Sequence, residues 1–515
     1  MFWALLIMGA EGELNDICVH HDADNKYSVL DAENNNSAYT IADRLGLNVS
    51  YYLIPVMNLQ EKKPFETLQH VIHIFWTILP TLCCFAIARI LVQQFKLDNE
   101  QSLRRFALEF VIIAVPVVLS VNVANSFVLY FVIFCFAFLM LLMFYKKCLD
   151  SARTRSFVLG KHPRMLTLAR ATINILTAVC ILAIDFESFP KVFRKSRRYG
   201  AGLMDVGIGL FIFAMGSVSR RPSRAADLVK LCRMVTPVLL LGLARTVVIT
   251  YINYSQDEHE YGRHLNAFFT LGLTKLIGTL LSGVASNDLQ LVPIGLGLLT
   301  AYESVLLLGV SDFVMDNNIE RNTFFNANRE GICSLPGFVA VYIISVYMGQ
   351  ILQTHVMLSY DEFMQKLKLL AKISGALWCL VLICIFSVGI ARVTCNLGYA
   401  AWILAIAVTM TALYMFVFDL VLNTVWPVEM LALGSGDVQQ KPAEQVDGWL
   451  PSLVDAVNRN GLTFFLLANI LTGGVNIFLQ PDKRSDLESV AILCGYTLIA
   501  TGFVYILYRL KIRIA

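Results

Sequence analysis

ILAIDFESFPKVFRKSRRYGAGLMDVGIGLFIFAMG, residues 181–216, leaves one apolar run, crosses a short polar stretch dense in Lys and Arg, and enters a second apolar run. The flanking runs, near 165–186 and 202–219, approach the length of about 20 residues that carries a helix across the hydrocarbon of a bilayer. Helix is the form expected, because lipid leaves every backbone N–H and C=O to be satisfied within its own segment. Working outward, the same alternation of apolar run and polar punctuation continues through most of the chain.

Composition agrees. With 57% hydrophobic and 15% charged residues over 515 positions, and a mean hydropathy of +0.63, the chain carries more apolar side chain than a soluble globule can hide. Strand-type alternation, which a barrel requires, is absent. The fold class expected is therefore all-α, a polytopic integral membrane protein with about thirteen transmembrane helices. They lie near 68–93, 105–121, 124–145, 165–186, 202–219, 234–254, 264–284, 288–310, 334–354, 370–391, 396–423, 460–479 and 487–508. Pro116 breaks the second, and without that span everything upstream inverts. Residues 1–65, with DADNK and DAENNNS, read as a polar extension ahead of a membrane domain at 66–515. Met1 to Ala10 is apolar but lacks a basic n-region and is too short to span.

Short basic loops stay cytosolic, which orients the chain. Lys146, Lys147, Arg153, Arg155, Lys161 and Arg164 follow the third span; alternation puts Arg220, Arg221, Arg224 and Lys230, then Lys366, Lys368 and Lys372, then Arg509, Lys511 and Arg513 on the same side. The opposite, lumenal side receives the amino terminus, with glycosylation sequons at Asn35 and Asn48, and three chemically capable segments: DFESFPKVFRK at 185–195, EHEYGRHLN at 258–266 and NREGICSLPG at 328–337. One loop breaks the charge rule, since Lys191, Arg194, Lys195, Arg197 and Arg198 are translocated. Either the flanking spans outvote it, or its charge is needed there, for example to meet phosphate.

Several chemistries drop out. Most of the twelve cysteines sit inside spans, where they act as small apolar residues, so no disulfide framework is expected. No paired CxxC, HExxH or His cluster suggests a metal, and neither GxSxG nor a Walker loop is present. A net charge of +3 is too modest for nucleic acid.

The 181–216 run closely resembles the signature of the inositol acyltransferases of glycosylphosphatidylinositol (GPI) anchor synthesis: a DFP-type element, a downstream Lys, and a YG.SLMD.G.G segment. EYGRHLNAFFTL at 260–271, NANREGICSLPGF at 326–338, RVTCNLGYAAW at 392–402 and NRNGLTFFLLANILTGGVN at 458–476 resemble the family's later blocks, in its order. There are two departures. The short acidic, Gly/Ser-bearing motif that the family carries before its first span is not recognisable in 1–65, and the DFP element reads DFESFP.

The resemblance implies about thirteen spans and transfer of a long-chain, palmitoyl-like acyl group from acyl-CoA to an inositol hydroxyl of glucosaminylphosphatidylinositol. The setting implied is the endoplasmic reticulum membrane, with the site facing the lumen. Acyl-CoA is a co-substrate and no bound cofactor is implied. An alcohol attacking a thioester needs a proton acceptor and a positive group for the carbonyl oxygen. Asp185, as base or orienting group, and Lys195, on the oxyanion or a substrate phosphate, suit those roles; an ion pair between them would make Asp185 a weak base. His264 is a further catalytic candidate, favoured over His259, against the plainer reading of a hydrated structural histidine. Glu258, His259, Glu260 and Tyr261, with Tyr254, Asn266 and Asn328, are candidates for binding the sugar headgroup. Arg329 would grip phosphate bidentately, or with Glu330 merely cap and anchor a helix. Asp205, beside Gly207 and Gly209, is a carboxylate inside a span that wants a partner, and it is a further substrate-binding candidate. Of the intramembrane charges Arg245, Lys275, Glu303 and Asp419, Lys275 and Glu303 are expected to pair across consecutive spans. The rival readings are a lipid transporter or scramblase, disfavoured by the lack of an internal repeat, and an O-acyltransferase with an indispensable membrane histidine.

Overall fold

The computed structural model describes residues 62–97, 102–145, 148–153, 155–157, 159, 163–252, 257–353, 357–425 and 450–514. Residues 1–61 of the expected extension, both sequons, Lys146, Lys147, Lys161 and Tyr254 lie outside the described residues.

Each apolar run picked out above is helical. In chain order they are α1 (Pro64–Gln94), α2 (103–121), α3 (Asn125–Phe144), α4 (Arg164–Ala183), α5 (Leu203–Ser217), α6 (Ala225–Ile252), α7 (Ala267–Ser282), α8 (Asp288–Met315), α9 (Arg329–Leu352), α10 (Tyr360–Phe386), α11 (Leu397–Val425), α12 (Gly461–Leu479) and α13 (Asp486–Arg509). Among the described residues ten are long and apolar enough to cross a membrane; α5 and α7 are shorter, and α2 is assembled from three consecutive pieces. Pro116 does not end α2 as its missing N–H suggests it should. The ladder slips into a π-helical stretch at Phe110–Ala114 and then resumes, which absorbs the lost hydrogen bond. Among the described residues the strand pairing is one isolated bridge, Phe157 with Leu358.

Burial sorts the helices into centre and rim. The most apolar windows of α4, α9 and α11 are 78, 72 and 78% buried, whereas those of α3 and α6 are 11 and 17% buried, so the first three form the core and the last two face outward. Lipid supplies little hydrophobic drive between helices, and close approach at small residues matters instead. A Cβ added at Gly209 of α5 would stand 2.5 Å from Ile403 of α11, so the two helices touch through that glycine. Two buried acids meet arginines. Arg105 of α2 meets Glu109 at 2.8 Å, and Glu109 also accepts from the backbone of Ser452 and Leu453. Asp419 lies 3.7 Å from Arg164. The expected Lys275–Glu303 pair is replaced: Glu303 accepts the Leu397 N–H at 2.7 Å, capping α11, while Lys275 faces a cavity. A helix N-terminus with unsatisfied donors is the nearer partner for that carboxylate.

Candidate active site

Four segments meet at one end of the bundle: the loop after α4, the 257–266 loop, the start of α9, and the 387–396 turn between α10 and α11. Their meeting depends on backbone approach. Gly262 has φ +92°, and a Cβ there would stand 2.4 Å from Asn328 Cα. Asn328 is the clasp: its Oδ1 accepts from His264 N at 2.8 Å and Leu265 N at 3.2 Å, and its Nδ2 donates to Phe324 O at 2.8 Å. Asn266 then caps α7, accepting from Phe268 N at 3.1 Å.

A chain of charge runs through the centre. Lys195 forms an ion pair with Glu260. Arg392 Nη2 lies 3.8 Å from Glu260, Arg392 Nε lies 2.9 Å from Asp205, and the guanidinium covers the Tyr261 ring at 5.5 Å. Asp205 thus has the partner its position demanded, and it also accepts from Ser196 Oγ at 2.8 Å and Gly202 N at 3.0 Å, bracing the loop that carries Lys195. Burial disfavours the charge on Lys195, but Glu260 more than offsets this and holds the ammonium above its ordinary pKa. Burial works equally against Glu260, and Lys195 with Arg392 brings its carboxyl below the usual range.

Asp185 sits at the end of α4, near enough to Lys195 and Arg194 to feel both. Burial dominates, and its carboxyl is pushed up to about 6 against the pull of Asn476, Lys195 and Arg194. Its Oδ2 accepts from Asn476 Nδ2 at 2.9 Å, while the buried Oδ1 has no hydrogen-bond partner among the described residues. Asp185 and Lys195 are therefore neighbours but not a salt bridge, and the weak-base objection falls away.

The other candidates separate from this centre. His264 is exposed, 3.1 Å from Asn328 Nδ2 and stacked on Phe324, and it does not line the cavity described below. The backbone N–H of His259 donates to Asp257 Oδ1 at 3.0 Å. Glu258 and Glu330 both bind Arg321, Glu330 through two contacts at 2.6 and 3.1 Å. Arg329 is not presented to a ligand as expected: it is 1% exposed and donates to the carbonyls of Val314, Asp316, Ile319 and Asn326. Val314 lies in the last turn of α8, Asn326 in that of the short helix Phe324–Ala327, and Asp316 and Ile319 in the loop between them, so none of these carbonyls has an intrahelical partner, and the guanidinium fills them. Arg392 and Asn476 escaped the sequence reading. Each stands at one end of a block already quoted, RVTCNLGYAAW and NRNGLTFFLLANILTGGVN, which was the available signal.

A cavity of about 430 Å³ leads from Lys195, Glu260, Tyr261 and Arg392 down an apolar wall to Arg170 and Lys275. Those two cations also line a second cavity of about 680 Å³, with Arg220, Arg221 and Lys230 around it. The first space is lined mainly by apolar residues of α4, α5, α6, α7 and α12. A long hydrocarbon fits such a lining, and an anion fits the second.

Comparison with known proteins points the same way. A family model described as GWT1 matches residues 66–507. The chain is 29% identical over 377 residues to GPI-anchored wall transfer protein 1 of Aspergillus fumigatus, covering 68% of this chain and 73% of the relative. It is 29% identical over 478 residues to glucosaminyl-phosphatidylinositol-acyltransferase PIGW of Bos taurus, covering 84% and 93%. With the PIGW of Mus musculus the figures are 28% over 447 residues, 78% and 87%.

Proposed function

The chain belongs to the GWT1 family, and from that premise we propose that it transfers a long-chain acyl group from acyl-CoA to an inositol hydroxyl of glucosaminylphosphatidylinositol, in the endoplasmic reticulum membrane, at a site facing the lumen. The observation that carries the reading is the placing of Asp185 beside Lys195, with Lys195 on the wall of an apolar cavity that shares Arg170 and Lys275 with a basic one.

In this reading the inositol hydroxyl gives its proton to Asp185 as its oxygen attacks the thioester carbonyl. A group titrating at about 6 can take up and return a proton near neutral pH. Negative charge gathers on the carbonyl oxygen, and the Lys195 ammonium, which gives one of its three donors to Glu260, stabilises it. The attack forms the ester C–O bond, and collapse of the oxyanion re-forms the carbonyl C=O and breaks the C–S bond. The proton held by Asp185 passes to the departing thiolate. The apolar cavity suits the long acyl chain of the donor and leaves room for its pantetheine arm, and Arg170, Lys275, Arg220, Arg221 and Lys230 suit its phosphates. From Arg170 to Ile181, both lining that cavity, α4 rises about 16 Å at 1.5 Å per residue, enough to separate the phosphates from the reacting carbonyl.

The test is purified protein with a glucosaminylphosphatidylinositol analogue and labelled palmitoyl-CoA. Wild type is expected to yield acyl-inositol product, Lys195→Ala to lose about a hundredfold or more in rate, and Glu303→Gln to remain active. Full activity in both Asp185→Asn and Lys195→Ala would remove these residues from the mechanism.

A further inference from the structure

Glu260 was expected to touch the sugar headgroup, yet its carboxylate is 9% exposed and lies between two cations. Lys195 comes from the loop after α4, Arg392 from the 387–396 turn, and Glu260 from the 257–266 loop, so three segments distant in sequence are tied at this one side chain. The charges are not shared evenly. Arg392 is answered first by Asp205 at 2.9 Å and stands 3.8 Å from Glu260, which leaves the Glu260 charge mainly for Lys195. We infer that Glu260 is a positioning residue for Lys195, holding the ammonium charged and aimed along the cavity wall, with Arg392 and Asp205 as the anchor that keeps Glu260 in place.

The inference rests on the acyltransferase reading for its kinetic consequence but not for its geometry. The groups that bear on Lys195 are Glu260 and Tyr261 from one loop, Arg392 from the turn and Asp185 on its own segment, while Arg245 of α6 acts on Glu260. Without the Glu260 charge, Lys195 is left half-buried beside Arg392, and both its desolvation and the like charge favour loss of its proton. The alkaline limb of the reaction must then move to lower pH.

Two measurements on Glu260→Gln test this. The first is acyl transfer at saturating substrates across pH 6 to about 9; wild type is expected to hold its rate at the upper end, and the variant to lose about tenfold there. The second is pulse labelling of Lys195 with acetic anhydride, read by mass spectrometry on folded protein; the side chain is 26% exposed, and the variant is expected to label about tenfold faster near pH 8. A folded, active Glu260→Gln protein with wild-type pH profile and labelling rate overturns the inference. So does a rise in KM for the lipid acceptor alone, which is the signature of a headgroup contact. If Glu260→Gln does not fold, Glu260→Asp keeps the charge while drawing it back by one methylene, and must label faster than wild type; an unchanged rate is again contrary. Failure of wild type to make any acylated product would sink the function while the labelling contrast still judges the clamp.

Discussion

Asp185 is a carboxylate that the fold makes a better base than it is in water. Its pKa, raised from 3.8 to about 6, means that the folded protein binds this proton more readily than the unfolded chain does. The resulting stabilisation is complete below about pH 4 and is lost as pH rises through about 6. Asp185→Asn is therefore expected to flatten the pH dependence of the melting temperature across that window while reducing acyl transfer about a hundredfold or more. In wild type the rate should climb with pH through about 6. Asn476 pulls Asp185 downward by its hydrogen bond, so Asn476→Leu should displace that climb to higher pH, which a pH–rate profile will show. An unmoved profile would dissociate Asn476 from the base. His264 stands outside the cavity lining, and His264→Ala should keep its rate within a few-fold; a hundredfold loss would restore the imidazole to the chemistry.

At the scale of elements, the helices were legible because lipid imposes one rule along the whole chain: a long apolar segment must satisfy its own backbone. The α2 segment shows where that rule is blind. Composition locates the run and Pro116 marks it as broken, but only packing lets a π-helical stretch keep the segment going. Loops follow different physics. Gly262 was visible as a residue in EYGRHLN, yet the need for it comes from Asn328, across from it in space. Gly262→Ala is expected to pry the 257–266 loop from the start of α9, through both positive φ and a 2.4 Å clash. The loss expected is about 1–3 kcal/mol in unfolding free energy, with a larger fall in acyl transfer, measured by thermal melts beside the activity assay.

For the whole molecule, the two neighbouring cavities, which share Arg170 and Lys275, make a directional claim. Arg170→Ala with Lys275→Ala should raise the KM for acyl-CoA about tenfold or more and leave that for the lipid acceptor unchanged; equal effects on both would dissolve the division of the two spaces. Glycan acceptor sites placed in the 258–266 and 328–337 loops should both be modified in cells, and modification of one alone would break the shared lumenal face. The sequence by itself determined the membrane class, the helices and the family, and it singled out Asp185 and Lys195 as the pair to test, because hydropathy and linear motifs are carried by neighbours along the chain. Tertiary structure decided that Asp185 leans on Asn476, that Lys195 is held by Glu260, and that Arg329 serves carbonyls rather than a ligand. Those outcomes depend on which polar group lies within about 3 Å once the helices pack, and distance through space is not written in order along a chain.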